Sequence, residues 1–176
     1  MTTALIRPTA DLYDSWAAAV NEFDGVHIDG SGLQAPVVPG RVTLDALIRD
    51  AAVLADTTVA PPEDRVHNDL YWIVDDREVV GFLSFRHTLN DWLREAGGHI
   101  GYAVRPSRRR QGYASAALAL ALDRAREIGL ERVFITCDDD NVASARTIER
   151  AGGVLQDISD QTERGHSLLR RYWIAL

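Results

Sequence analysis

Cysteine occurs once in this 176-residue chain, at Cys137. That scarcity excludes an intramolecular disulfide, a thiolate metal cluster and a CxxC redox motif, and it fits a reducing compartment. Long apolar runs are missing too. The longest, "ASAALALALD", falls far short of the roughly 20 residues a membrane span needs. The opening "MTTALIRPTADLYDSW" has no cationic start leading into an apolar stretch, so it does not read as a signal peptide. Positive charge is in deficit, with 19 basic residues against 26 acidic ones and a formal net charge of -7. A general affinity for nucleic acid or an anionic membrane would need the opposite balance or a broad basic face. No repeat, low-complexity tract or linker divides the chain. The expectation is one cytoplasmic domain, with 46% hydrophobic and 26% charged residues, able to bury a sizeable core.

What is present alternates between helical and strand patterns. "ALIRP" reads as a short strand stopped by Pro8, and a helix begins at Thr9 with Leu12, Trp16, Ala19, Val20 and Phe23 on one face. Residues 25–40 are rich in Gly and Pro, a loop long enough to be functional. "TLDALIRDAAVLA" is a second helix with Thr43 as its expected N-cap. "LYWIV" and "VVGFLSFRH" form strands around a polar turn, and "TLNDWLREAGG" is a loop with one helical turn. "HIGYAV" is the next strand. A strong helix over 113–128 follows, closed by Gly129. "LERVFITC" is a strand, "NVASARTIERAGG" a helix and "LLRRYWIAL" a closing strand.

One stretch runs against the acidic balance. "VRPSRRRQGYASAAL" places Arg108, Arg109 and Arg110 between a strand and a helix that starts with Gly112, Tyr113, Ala114 and Ser115. A helix N-terminus offers unpaired N–H groups and about half a positive charge. A glycine there lets a ligand reach the main chain, and small residues keep the first turn open. Strand, basic turn and small-residue helix start together make an anion site suited to a phosphate or pyrophosphate. Neither GxxxxGK[ST] nor GxGxxG occurs here.

The pattern is Val104-x-Pro106-x-x-Arg109-x-x-Gly112-x-Ala114. It resembles the V-x-P-x-x-R-x-x-G-x-G/A signature of the GNAT superfamily of acyltransferases. Asn141, Ser144, Glu149, Arg150 and Gly152 are similar to a second hallmark, N-x-x-[AS]-x-x-x-x-E-[KR]-x-G. "RHTLNDWLREAGGHIGYAVRPS" looks like a subgroup of bacterial acetyltransferases with RHxLNxxL and GGHIGY before the same loop. The resemblance covers residues 69–176 well and residues 1–68 only in element order.

The resemblance implies an α/β GNAT fold: a mixed, mostly antiparallel central sheet flanked by helices, in one domain over 1–176. Residues 1–68 would build the acceptor side and 69–176 the acetyl-CoA core. Acetyl-CoA would lie between splayed strands 98–104 and 131–137. The implied contacts are the main chain of Tyr102 and Val104, the loop Arg109, Arg110, Gln111, Gly112, Tyr113, Ala114 and Ser115, and Asn141 with Ser144. The implied reaction is direct acetyl transfer to a primary amine of a small molecule, protein N-terminus or lysine, by a monomer or homodimer without metal. A non-catalytic acyl-CoA sensor is the alternative, and a nucleic-acid module built on Arg108–Arg110 a third.

Two positions depart from the pattern. The tyrosine that many relatives use to protonate the leaving thiolate is replaced by Ile148. The ribosomal-protein acetyltransferase branch instead has a serine three residues after the asparagine, and the resemblance implies Ser144, which stands there, as the candidate acid. Gly153 stands where an aromatic usually follows the helix glycine. For the base, His99 and Glu95 are the candidates, with His87 also near the cleft-forming segment. His99 shares a strand face with Gly101 and Ala103, opposite Tyr102 and Val104. Cys137 reads as an inert packed thiol, Asp138–Asp140 as a solvated helix cap, and Arg170 and Arg171 as exposed positions of a strand. Of the four tryptophans, Trp92 is the one placed to line a pocket.

Overall fold

The structure is a computed structural model and describes residues 2–164 and 168–176. The chain runs β1 (Thr3–Ile6), α1 (Tyr13–Asn21), α2 (Arg41–Ala55), β2 (Asn68–Asp75), β3 (Glu78–Arg86), β4 (Ile100–Val104), α3 (Tyr113–Glu127), β5 (Arg132–Asp138), α4 (Val142–Arg150), β6 (Val154–Asp160) and β7 (Leu168–Ala175). The strands form two sheets, ordered β1-β2-β3-β4 and β5-β7-β6. Every ladder within them is antiparallel.

Strand alternation divides the interior into two cores on opposite faces of the first sheet. Leu70, Trp72 and Phe82 pack with Trp16, Val20 and Leu44 beneath α1 and α2. Leu83, Phe85 and Ile100 pack with Ala117, Leu118, Ala121 and Ile148 on the side of α3 and α4. The buried positions of α3, Tyr113, Ala117, Leu118, Ala121, Leu122 and Ala125, follow a helical stripe. Its alanines let the helix lie close to the sheet.

Several local expectations change. Thr9 caps a 3-10 turn, Ala10–Leu12, by accepting from the Asp11 N–H, and the α-helix starts only at Tyr13. Thr43 is not the cap of α2: that helix starts at Arg41 after Gly40, and the Thr43 hydroxyl donates back to the Val38 carbonyl. Strand β6 has no counterpart in the sequence reading. Arg170 and Arg171 are half-buried and ion-paired, to Asp139 at 2.7 Å and to Asp157 at 2.6 Å. Asp139 is thereby a partner rather than a solvated cap. Among the described residues, no helix is long and apolar enough to cross a membrane, and no group of three or more acidic, histidine or cysteine side chains is set to hold a metal ion.

Candidate active site

The two sheets meet where β4 and β5 come together and then part. The His99 N–H donates to the Phe134 carbonyl at 2.7 Å, and the Phe134 N–H donates to His99 Nδ1 at 2.9 Å. The imidazole thus does the work of a main-chain carbonyl. Thr136 Oγ1 adds one bond to the Ala96 carbonyl, in the π-turn Leu93–Gly97. No ladder joins β4 to β5 beyond this point. A cleft of about 670 Å³ opens there, lined by β4, β5, the start of α4, the π-turn and part of the 25–40 loop. The loop lies hard against β4: a Cβ on Gly30, at φ +74°, would stand 2.3 Å from the Gly101 carbonyl oxygen.

Inside the cleft, Tyr102 reaches across from β4 so that its hydroxyl meets Ser144 Oγ at 3.0 Å. Asn141 caps α4 by accepting the Ser144 N–H at 3.1 Å, which fixes the serine's position. Burial, opposed by the Ser144 hydrogen bond, pushes the Tyr102 phenol up to about 12. It keeps its proton throughout the neutral range. Burial likewise pushes the Cys137 thiol, which also lines the cleft, up to about 11. A thiol held in that form is a poor nucleophile.

At the end of β4 lies the basic turn. Arg108 is neutralised by Glu78, with Nε and Nη2 on the two carboxylate oxygens at 3.1 and 2.6 Å. Arg105, absent from the sequence argument, is held by Glu22, Glu78 and the Val79 carbonyl. Glu22 also accepts from the N–H and hydroxyl of Ser107 at 2.9 and 2.8 Å, which pins the turn to α1. The Arg109 guanidinium donates to the Val104 carbonyl, and neither it nor Arg110, at φ +61°, makes an ion pair among the described residues. Gly112 caps α3 at φ +88° with no side-chain hydrogen bond. The first amides of α3 are therefore open, with two carboxylate-free guanidinium groups beside them. An anion fits that geometry.

The candidate residues divide. Tyr102, Asn141 and Ser144 line the cleft; Glu95 and His99 do not. Glu95 pairs with Arg171 on β7 at 3.2 Å. His99 is buried, its Nδ1 lone pair is taken by Phe134, and burial with the nearby Arg86 and Arg94 charges pushes its pKa down to about 4. His87 bonds to the buried Asp69 at 3.0 Å, away from the cleft. Gln111 touches the Ser107 carbonyl at 3.5 Å, while Ala114 and Ser115 leave the first turn of α3 uncluttered. The Tyr113 hydroxyl donates to Asp75 at 2.6 Å, so the ring anchors α3 to β2 and leaves only its amide toward the loop. Sequence reasoning gave Tyr102 a main-chain role alone; its side-chain contact depends on the approach of α4, which no local pattern encodes.

Splayed strands beside an open helix N-terminus, with paired hydroxyls in the gap, fit the site that the sequence resemblance implies for a CoA-dependent acyltransferase. Comparison with known proteins agrees. The family model described as Acetyltransferase (GNAT) family matches residues 45–153, and the chain belongs to that family of acetyltransferases. No curated protein sequence matches it. Among solved structures, a RimL ribosomal L7/L12 alpha-N-protein acetyltransferase in complex with coenzyme A aligns over 100% of this chain and 95% of its own, at 21% identity and TM-score 0.73. The microcin C7 self-immunity acetyltransferase MccE, in complex with acetyl-CoA and AMP, aligns over 99% and 92% at 14% identity and TM-score 0.71. RimJ of Mycobacterium smegmatis, in complex with CoA-disulfide, aligns over 98% and 81% at 20% identity and TM-score 0.72. The fold is thereby the GNAT fold across nearly the whole chain.

Proposed function

We propose that this protein transfers the acetyl group of acetyl-CoA directly to a primary amine of a small molecule or a protein. The observation that carries the reading is the Tyr102–Ser144 hydroxyl pair inside the gap between β4 and β5. Residues 109–115 receive the pyrophosphate through the open amides of α3 and the guanidinium groups of Arg109 and Arg110. Bound acetyl-CoA supplies an acetyl thioester whose sulfur leaves as a thiolate. The Ser144 hydroxyl donates to that sulfur, and the Tyr102 hydroxyl donates in turn to Ser144 Oγ. The phenol that Ile148 cannot provide from α4 thus comes from β4. N–H groups of β4 face the developing oxyanion.

His99 serves as a strut between β4 and β5, and the amine's proton leaves through water in the open cleft. The chain works as one domain, in the cytoplasm, where its lone thiol stays reduced. The cleft extends from Tyr102 and Ser144 to the 25–40 loop, room that an acyl-CoA sensor would not need. The deciding experiment screens an amine panel for CoA release, then compares Ser144→Ala and Tyr102→Phe on the best acceptor. Ser144→Ala is expected to lower kcat and kcat/KM together by about 10- to 100-fold, and Tyr102→Phe by a smaller factor. Acetyl-CoA binding with no turnover of any amine would leave the sensor reading in possession.

A further inference from the structure

The face of the first sheet that lies beneath α1 and α2 changes character along its strands. Under the helices it is apolar, with Trp72 of β2, Phe82 of β3 and Ala103 of β4 in one core. Two and four residues further along that face come Asn68, Ser84, Arg86 and Gly101, where the 25–40 loop approaches through Gly30. All four line the cleft. The Ser84 hydroxyl donates to Asn68 Oδ1 at 2.7 Å, so these two satisfy each other.

Arg86 is different. Its Nη1 spans the carbonyls of Gly97 and Gly98 at 3.0 and 3.1 Å, which fixes the guanidinium in place. Its Nε and Nη2 make no hydrogen bond, and the group makes no ion pair, among the described residues. Burial lowers its pKa, while Asp29, an exposed loop residue that pairs with His27, acts on it only at longer range. A half-buried guanidinium that lines the cleft without a counter-ion is set to take an anion. The unused Nε–Nη2 edge is a fork that accepts a carboxylate through two parallel bonds. The guanidinium lies beside Gly101, where an added Cβ would be 3.8 Å from both Nη atoms, one residue before Tyr102.

We infer that Arg86 is the specificity residue of the acceptor compartment, and that the acceptor is an amine carrying a carboxylate bound on its free edge. The inference rests on the acetyl-transfer reading above. Asp29 at the mouth attracts the ammonium end of such a molecule, and the small Gly101 leaves room for its carboxylate beside β4. A zwitterionic amino acid or an N-terminal acidic peptide has this chemistry; a simple polyamine does not.

The test uses matched pairs, an aminocarboxylate and its carboxamide, with the full-length protein and acetyl-CoA. The wild type is expected to prefer the carboxylate in kcat/KM by about tenfold or more. Arg86→Gln should abolish that preference and Arg86→Lys restore part of it. The ratio is read within each variant, so a general loss of activity or of folded protein cancels. In the wild type alone, propionate should compete with the amine and not with acetyl-CoA. Equal rates within each pair, an unchanged preference in Arg86→Gln, or no competition by propionate overturns the Arg86 assignment while acetyl transfer stands. No acetylation of any amine overturns both.

Discussion

His99 shows how much a single residue's role depends on where its lone pair goes. From the sequence it is a histidine on the acetyl-site strand, a natural candidate base. In the fold its ring closes the β4–β5 junction, at a pKa near 4. A ring lowered that far does not titrate between about pH 5 and 9, the range in which an amine acetyltransferase would show its acidic limb. His99→Gln is therefore expected to keep the wild-type pH profile of kcat/KM. His99→Ala leaves the Phe134 N–H buried without an acceptor and should cost about 1–3 kcal/mol of stability, read as a lowered Tm. Loss of the acidic limb in His99→Gln would return the base to the imidazole. Gly153 is the second residue whose departure from the family pattern gains a physical cause. A Cβ there would stand 2.5 Å from Ile148 Cγ2 and 2.8 Å from the Ile148 carbonyl oxygen, so the chain turns too tightly against α4 for an aromatic.

At the scale of elements, periodicity made most of the chain legible, while the helix starts expected at Thr9 and Thr43 shifted. The stripe of α3, the strands 70–74 and 79–87, and the loop at 25–40 all stand close to where the sequence places them. Strand β6 was illegible for a specific reason. Val154, Leu155 and Ile158 are exposed, and a register shift between Leu155 and Asp157 breaks the alternation, so neither period appears. Residue types alone mark the basic turn as an anion site, but not how it is held. That depends on Glu22, 83 positions from Arg105 in sequence. The Arg105 hydrogen bonds, with help from Ser107, lower the Glu22 pKa from 4.5 to about 2. A depressed carboxylate stabilises the fold fully above its ordinary pKa and loses that contribution as pH falls through about 2, so the clamp is intact throughout the working range. Glu22→Gln is expected to lower the Tm by about 2–4 °C, and to raise the KM for acetyl-CoA more than it changes kcat. Thermal melts and initial rates at neutral pH check both. An unchanged KM would detach the turn's position from this clamp.

Across the whole molecule, the sign of the charge is less informative than its chemistry. All 19 basic residues are arginine, so these 176 residues contain no lysine. A guanidinium stays protonated and is not an acyl acceptor, so the chain presents no side-chain amine to its own active site. Arg65, exposed at the edge of the cleft, allows that property to be inverted. Arg65→Lys keeps the positive charge and places a primary amine at the edge of the cleft, where tethering raises its effective concentration. Arg77→Lys does the same in the exposed β2–β3 turn, outside the cleft. Incubated with acetyl-CoA alone and mapped by peptide mass spectrometry, the wild type should gain no side-chain acetyl group. Arg65→Lys should gain one at that position, and Arg77→Lys none above the uncatalysed background. Acetylation of both lysines at equal rates would reflect the bare reactivity of acetyl-CoA. Acetylation of neither, in protein that turns over free amines, would move the amine's entrance away from this side of the cleft. Selective modification at position 65 would locate the acceptor route on the molecule before its natural amine is known.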